Sequence, residues 1–369
     1  MNKILAGLRA KPLLWLLAAV PAVLIGERLA PESHTMLFVL AVLAIIPLAA
    51  LLSHATESVA AKTGDAVGGL LNATLGNLTE LVIAITALRA GMFDLVKASV
   101  AGAIVTNSLF MLGMAFLLGG LKHRVQEYNA GTARLQAGML FLAAVALLIP
   151  SMIGASDRPE ASAMVQHLSI GLAVLLLATY VLGLVFSLKT HKDLFASVGG
   201  DAHGEEEHLW PVKVATVMLA VITVLVALVS EIFVESVQYA AITFGMTPAF
   251  VGFIVVALVG AAAEMTAAFA AARKNRLDLS VGIALGSSSQ IALFVAPVLV
   301  LLSLVIAPSP MNLQFWTGAV VMVMFSTLTV LFITNTGRAA WFIGVMLLVV
   351  YTIFAMTLYL LPPANLVPA

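Results

Sequence analysis

The chain has no cysteine among its 369 residues. Disulfides, iron–sulfur clusters and thiolate metal sites are therefore excluded. Charge is scarce as well. Asp, Glu, Lys and Arg make up 10% of the residues, against about 25% in ordinary soluble proteins. The formal net charge is zero, so nothing points to nucleic acid as a partner. What fills the chain is apolar: 62% of it is hydrophobic, with a mean hydropathy of +1.10. Such a composition belongs to a polytopic membrane protein whose surroundings are a lipid bilayer.

A spanning helix takes ~20 mostly apolar residues. Eleven such spans are expected, at 12–27, 35–56, 67–88, 96–120, 135–154, 166–188, 211–233, 249–272, 279–306, 312–334 and 339–361. The fold class is thus all-α polytopic membrane protein. The first span follows Lys3, Arg9 and Lys11 and resembles a signal peptide. No convincing small-residue cleavage site precedes Pro31, so it is read as a retained span. The one long polar connection, 189–210, holds Asp193, Asp201, Glu205, Glu206 and Glu207 and divides the chain.

Orientation follows from Lys and Arg, which favour cytoplasmic loops. With a cytoplasmic N-terminus, fourteen of them fall inside, among them Lys62, Lys122, Arg124, Arg273, Lys274 and Arg276. Only Arg28, Arg89, Lys97 and Arg158 fall outside. The expected setting is a bacterial inner (plasma) membrane, with the acidic segment in the cytoplasm.

The chain also repeats itself. Laid over 251–294 without a gap, 67–110 gives 13 identities in 44 positions. Shared apolar composition explains some alanines and leucines. It does not explain the pairing of Glu80 with Glu264, Arg89 with Arg273, Asp94 with Asp278, and Gly68, Gly76 and Gly102 with Gly252, Gly260 and Gly286. The offset of 184 residues covers five spans. Five is odd, so the second copy enters the membrane upside down. The expected organisation is an N-terminal segment with one helix (1–34), a first five-helix repeat (35–188), the acidic loop (189–210) and a second, inverted five-helix repeat (211–369). Inverted repeats with interrupted midplane helices mark secondary transporters.

Each copy carries one glutamate deep in an apolar run, Glu80 in Gly76-Asn77-Leu78-Thr79-Glu80-Leu81 and Glu264 in Gly260-Ala261-Ala262-Ala263-Glu264-Met265. A charge at bilayer depth costs at least ~2.5–3.5 kcal/mol, which makes it a functional candidate by default. Carboxylates suit hard cations such as Ca²⁺, which take six to eight oxygen ligands. A carboxylate also holds a proton, more readily when desolvated beside a second one. One pair of groups that takes either a divalent cation or protons is the minimum for exchange. Gly76 and Gly260, one turn earlier, are placed to loosen the helix. Asn72, Asn77 and Thr79 add oxygens in the first copy. The following spans add Thr106 and Asn107, and the polar run Ser287, Ser288, Ser289 and Gln290. Lone small residues such as Gly102, Gly113 and Ser99 are read as helix packing.

Gly-Asn-x-x-Glu-Leu at 76–81, Asn72-Ala73-Thr74 before it and Gly-Ser-Ser-Ser-Gln-Ile at 286–291 together resemble the cation/proton exchanger family, the Ca²⁺/H⁺ antiporters of the Ca²⁺:cation antiporter superfamily. The resemblance covers about residues 35–361. It implies that Glu80 and Glu264 bind cation and protons in alternation, with no cofactor and no enzymatic step. It also implies that Asn77, Gln290 and carbonyls near Gly76 and Gly260 complete the site. Glu57 and Glu231, at the ends of the second and seventh spans, would be entrance acids, and the stretch with Glu205, Glu206 and Glu207 a regulatory loop. One departure bears on the ion. The family's second motif usually reads Gly-Asn-Ala-Ala-Glu-His, and here Ala261 and Met265 replace the Asn and the His. A related exchanger of Na⁺, K⁺ or Mn²⁺ against H⁺ or Na⁺ is the alternative. A channel is disfavoured by the inverted repeat, and an intramembrane enzyme by the lack of a histidine near either glutamate. Whether copies associate as a homo-oligomer stays open.

Overall fold

The structure, a computed structural model, describes residues 12–63, 65–154, 161–191 and 209–360. Glu205, Glu206 and Glu207 of the expected regulatory loop lie outside the described residues, as does most of 189–210.

Among the described residues, eight helices are long and apolar enough to cross a membrane: His34–Ala60, Phe93–His123, Ala130–Gly154, Ala163–Thr190, Val212–Thr243, Leu277–Ile306, Thr317–Thr336 and Trp341–Leu360. Val251–Gly260 and Ala262–Arg273, bent by 61° at their junction, have the length and apolar character of a span when taken together, which brings the count of candidate spans to nine among the described residues. The expected spans at 12–27 and 67–88 fall on shorter helices. The first is Pro12–Ala18 followed by Ala19–Leu29, and the second is Asp65–Leu75 followed by Leu78–Arg89.

Burial separates centre from periphery. Phe93–His123 is the most deeply buried of these helices, whereas Ala163–Thr190 and Trp341–Leu360 are the most exposed. The peripheral helices turn large apolar side chains outward, including Leu182, Phe342 and Ile353. That pattern suits lipid, which accepts such side chains at no cost. The central helix approaches its neighbour at the level of the backbone. A Cβ on Gly102 would lie 2.1 Å from the carbonyl oxygen of Phe253. Only a residue without a side chain fits there, and small residues of this kind let membrane helices pack closely.

The helices carry local irregularities at matching places. Thr106–Met111 and Ile291–Val295 are π-helical turns, and the 184-residue shift carries most of one onto the other. Such turns take an extra residue into the helix and recur at functional sites. The break at Gly76–Asn77 likewise corresponds to the junction at Gly260–Ala261.

Two expectations change. The chain is not wholly α-helical: Val125–Glu127 pairs antiparallel with Arg338–Ala340, with an ion pair of 2.7 Å between Arg338 and Glu127. Hydropathy patterning has no means of seeing a three-residue ladder between segments over 200 residues apart. Glu231 also does not stand at the end of a span. Its helix runs from Val212 to Thr243, so Glu231 lies twelve residues before the end, about 18 Å along the axis. The exposed pair Glu231 and Glu235 lowers the local hydropathy and imitates a terminus. Glutamate is a good helix former, however, and does not stop the helix.

The His34–Ala60 and Val212–Thr243 helices pack along each other more extensively than any other pair. Each also reaches across to a glutamate-bearing helix. His34–Ala60 touches Ala262–Arg273, and Val212–Thr243 touches Leu78–Arg89.

Candidate functional site

Both glutamates sit in the first turn of the second piece of a broken helix. The break has a local cause. Asn77 has left helical geometry, at φ −102° and ψ 36°, and Ala261 has done so at φ −82° and ψ 9°. Irregular backbone at membrane depth is tolerated where it meets protein or lines a cavity. Each glutamate therefore starts a helix inside the protein rather than lying along one.

The two halves interlock at this level. A Cβ on Gly260 would lie 2.9 Å from Glu80 Cγ and 3.4 Å from its Oε1, so the glutamate of the first half packs on the break of the second. The reverse contact is made by Gln290, whose Oε1 would lie 3.4 Å from a Cβ on Gly76. Both carboxylate oxygens of Glu80, Oε2 of Glu264 and Nε2 of Gln290 are buried without a hydrogen-bond partner. Buried polar atoms in native proteins are nearly always paired. Three unpaired carboxylate oxygens with an unpaired amide donor around two breaks are the form expected of a site that binds a cation or protons.

A hydrogen-bonded chain stands beside the pair. Asn107 Nδ2 donates to Ser287 Oγ at 2.9 Å, and Ser287 Oγ donates to Asn77 Oδ1 at 2.6 Å. Beside Glu80 there is also a small cavity of about 20 Å³, whose other lining side chains are apolar except Ser99. That space holds about one water.

The remaining candidates divide. Thr79 is buried next to Glu80 in the chain. Thr106 turns away and shares a hydrogen bond of 3.2 Å with the hydroxyl of Tyr351. Ser288 donates to the carbonyls of Ala284 and Ile104, which ties helices together rather than facing the carboxylates. Asn72 is exposed. Glu57, near the end of His34–Ala60, accepts a hydrogen bond of 3.2 Å from Ser53. It lies within electrostatic reach of Glu264, as does Glu80. Glu231 is exposed on its helix.

Sequence reasoning missed Tyr351 and Gln136. Gln136 Oε1 is buried and unpaired, and its Nε2 approaches Gly286. The available signal was a polar side chain inside an apolar span. Among the described residues no three acidic or histidine side chains converge. A hard cation here would have two carboxylates, and its other oxygens would come from amides, hydroxyls and backbone.

The fold and site thus define a polytopic helical membrane protein built around a buried carboxylate pair at two broken helices. The chain belongs to the sodium/calcium exchanger protein family, whose sequence profile matches residues 33–189 and 214–360. It is 39% identical over 346 residues to a Ca²⁺/H⁺ antiporter of Synechocystis sp., covering 89% of this chain and 92% of that one. It is also 39% identical to the Ca²⁺/H⁺ antiporter ChaA of Bacillus subtilis, covering 93% and 97%. Among solved structures it is similar to native YfkE, with a TM-score of 0.82 and 36% identity over 95% of this chain and all of that one.

Proposed function

We propose that this protein is a secondary active antiporter that exchanges Ca²⁺ for H⁺ by alternating access. Glu80 and Glu264 bind cation or protons in competition. Asn77 and Gln290 complete the site, with Gly76, Gly260, Thr79, Asn107 and Ser287 in support. The observation that carries this reading is the set of buried, unpaired carboxylate oxygens where Glu80 packs on Gly260. The antiporter relatives agree with it. Two carboxylates neutralise one Ca²⁺, so the simplest stoichiometry is two protons per ion.

The finer architecture follows the sequence pattern. Eleven transmembrane helices comprise one N-terminal helix (1–34) and two inverted five-helix repeats (35–188 and 211–369), joined by the acidic cytoplasmic loop. His34–Ala60 and Val212–Thr243 slide as a pair against a core formed by the broken helices and the spans that follow them. Glu57 and Glu231 attract cations or relay protons, and Glu205, Glu206 and Glu207 regulate. The N-terminus lies in the cytoplasm of a bacterial inner membrane, and inward proton flow drives Ca²⁺ out. A second reading, exchange of Na⁺, K⁺ or Mn²⁺ against H⁺ or Na⁺, is favoured by Ala261 and Met265, which remove one side-chain oxygen and one titratable ring from the second break.

Flux in proteoliposomes under a pH gradient tests this, with Ca²⁺, Mn²⁺, Na⁺ and K⁺ compared. Proton-driven Ca²⁺ uptake is expected, and its loss in Glu80→Gln and in Glu264→Gln. Full exchange by either variant overturns the central role of the pair. A preference for another cation selects the second reading.

A further inference from the structure

Asn107, Ser287 and Asn77 are buried, at 0%, 7% and 2% exposure, and their hydrogen bonds link the two halves of the chain. A hydroxyl carries one proton, so Ser287 donates in one direction at a time. In the observed arrangement it donates to Asn77 Oδ1. That oxygen is thereby occupied, while Asn107 Oδ1 is left buried and unpaired. Turning over both amides and rotating the hydroxyl reverses the chain on the same heavy-atom positions. Asn77 then donates through Nδ2 to Ser287, and Ser287 donates to Asn107 Oδ1. The reversed form pairs the orphaned oxygen of Asn107 and releases Asn77 Oδ1. Both forms hold two hydrogen bonds, so a modest influence selects between them. A cation next to the Glu80 break is such an influence, because it attracts a carbonyl oxygen and repels an amide N–H.

The arrangement is one-sided. The 184-residue shift places Ile291, Ala103 and Ala261 where Asn107, Ser287 and Asn77 would have their counterparts. None of these has a polar side chain. Ala103 and Ile291 instead line the small cavity beside Glu80. The relay through Ser287 therefore has no twin to compensate for its loss.

We propose that Ser287 is a positioning residue that decides whether the Asn77 oxygen is available to the transported cation. Its hydroxyl points at Asn77 in the empty site and at Asn107 in the loaded one. Ser287 acts through Asn77 rather than on the ion. This rests on the reading of the midmembrane site given above.

The test is equilibrium binding of Ca²⁺ alone to the purified full chain, in double-mutant cycles. Ser287→Ala and Asn107→Leu are each expected to weaken binding about tenfold. The double variant should be within about twofold of either single one, and Ser287→Thr within about twofold of the unaltered protein. A second cycle pairs Asn107→Leu with Asn77→Ala and does not need Ser287→Ala to fold. It should show the same non-additivity, although these two residues bond only through Ser287. Effects that multiply in either cycle overturn the relay, as does unaltered binding by Ser287→Ala. Thermal melting with and without Ca²⁺ is the further readout. Equal losses in both conditions would mean a structural role and would also overturn it. Failure of the antiport reading looks different, as full exchange by Glu80→Gln.

Discussion

Glu80 rests on Gly260, a residue 180 positions away, so closely that a methyl group there would lie 2.9 Å from its Cγ. The contact joins the carboxylate of one half to the helix break of the other. A change at either residue is therefore felt by both halves of the site.

Gly260→Ala follows directly. The added carbon must displace the Glu80 side chain, and overpacking of this kind costs about 1–3 kcal/mol. Because the atom that yields belongs to the carboxylate, the larger effect should be on function. Ca²⁺ transport is expected to fall at least about tenfold, as a displacement worth ~1.4 kcal/mol at the site would produce. Initial uptake rates in proteoliposomes, with protein yield and melting as controls, check this.

Gly102→Ala should act differently. Its new carbon would lie 2.1 Å from the Phe253 carbonyl oxygen, and backbone cannot step aside as a side chain can. The expected outcome is loss of stability, by about 1–3 kcal/mol or more, with low yield of folded protein in detergent. A variant that melts like the unaltered protein would show that the two helices can separate freely.

Tyr351→Phe removes the hydroxyl shared with Thr106, leaving a buried Thr106 oxygen with less to bond. The cost should be about 0.5–1.5 kcal/mol, seen as a lower melting temperature. Since Thr106 faces Tyr351 and not the carboxylates, the concentration of Ca²⁺ giving half-maximal transport should stay unchanged. A shift in that concentration would return Thr106 to the cation site.

The pH dependence has a definite sign. Only a deprotonated carboxylate ligates a cation, and protons compete for the same oxygens. Apparent Ca²⁺ affinity should therefore fall as pH falls on the side where the cation binds. In Glu264→Gln the remaining affinity should depend less steeply on pH, because one competing proton is gone. Binding measured across a pH series at fixed ionic strength tests both statements.

Much of this protein is set by sequence alone. Scarce charge and long apolar runs dictate a membrane protein, because unpaired charge is expensive in lipid and apolar length measures the bilayer. The unusual placement of Glu80 and Glu264, and the 184-residue correspondence around them, are equally plain, since both are patterns along the chain. Other features belong to the tertiary structure. Ser287 faces Asn77 while Ser288 faces backbone, although the two are neighbours in one polar run. Thr106 was drawn away from the site by Tyr351, 245 residues later. Glu231 reads as a helix end and lies well inside a helix. Hydropathy and spacing report what each segment demands of its surroundings. Which oxygen meets which partner depends on the rotation of each helix and on close approaches at residues such as Gly102 and Gly260, and packing alone fixes those.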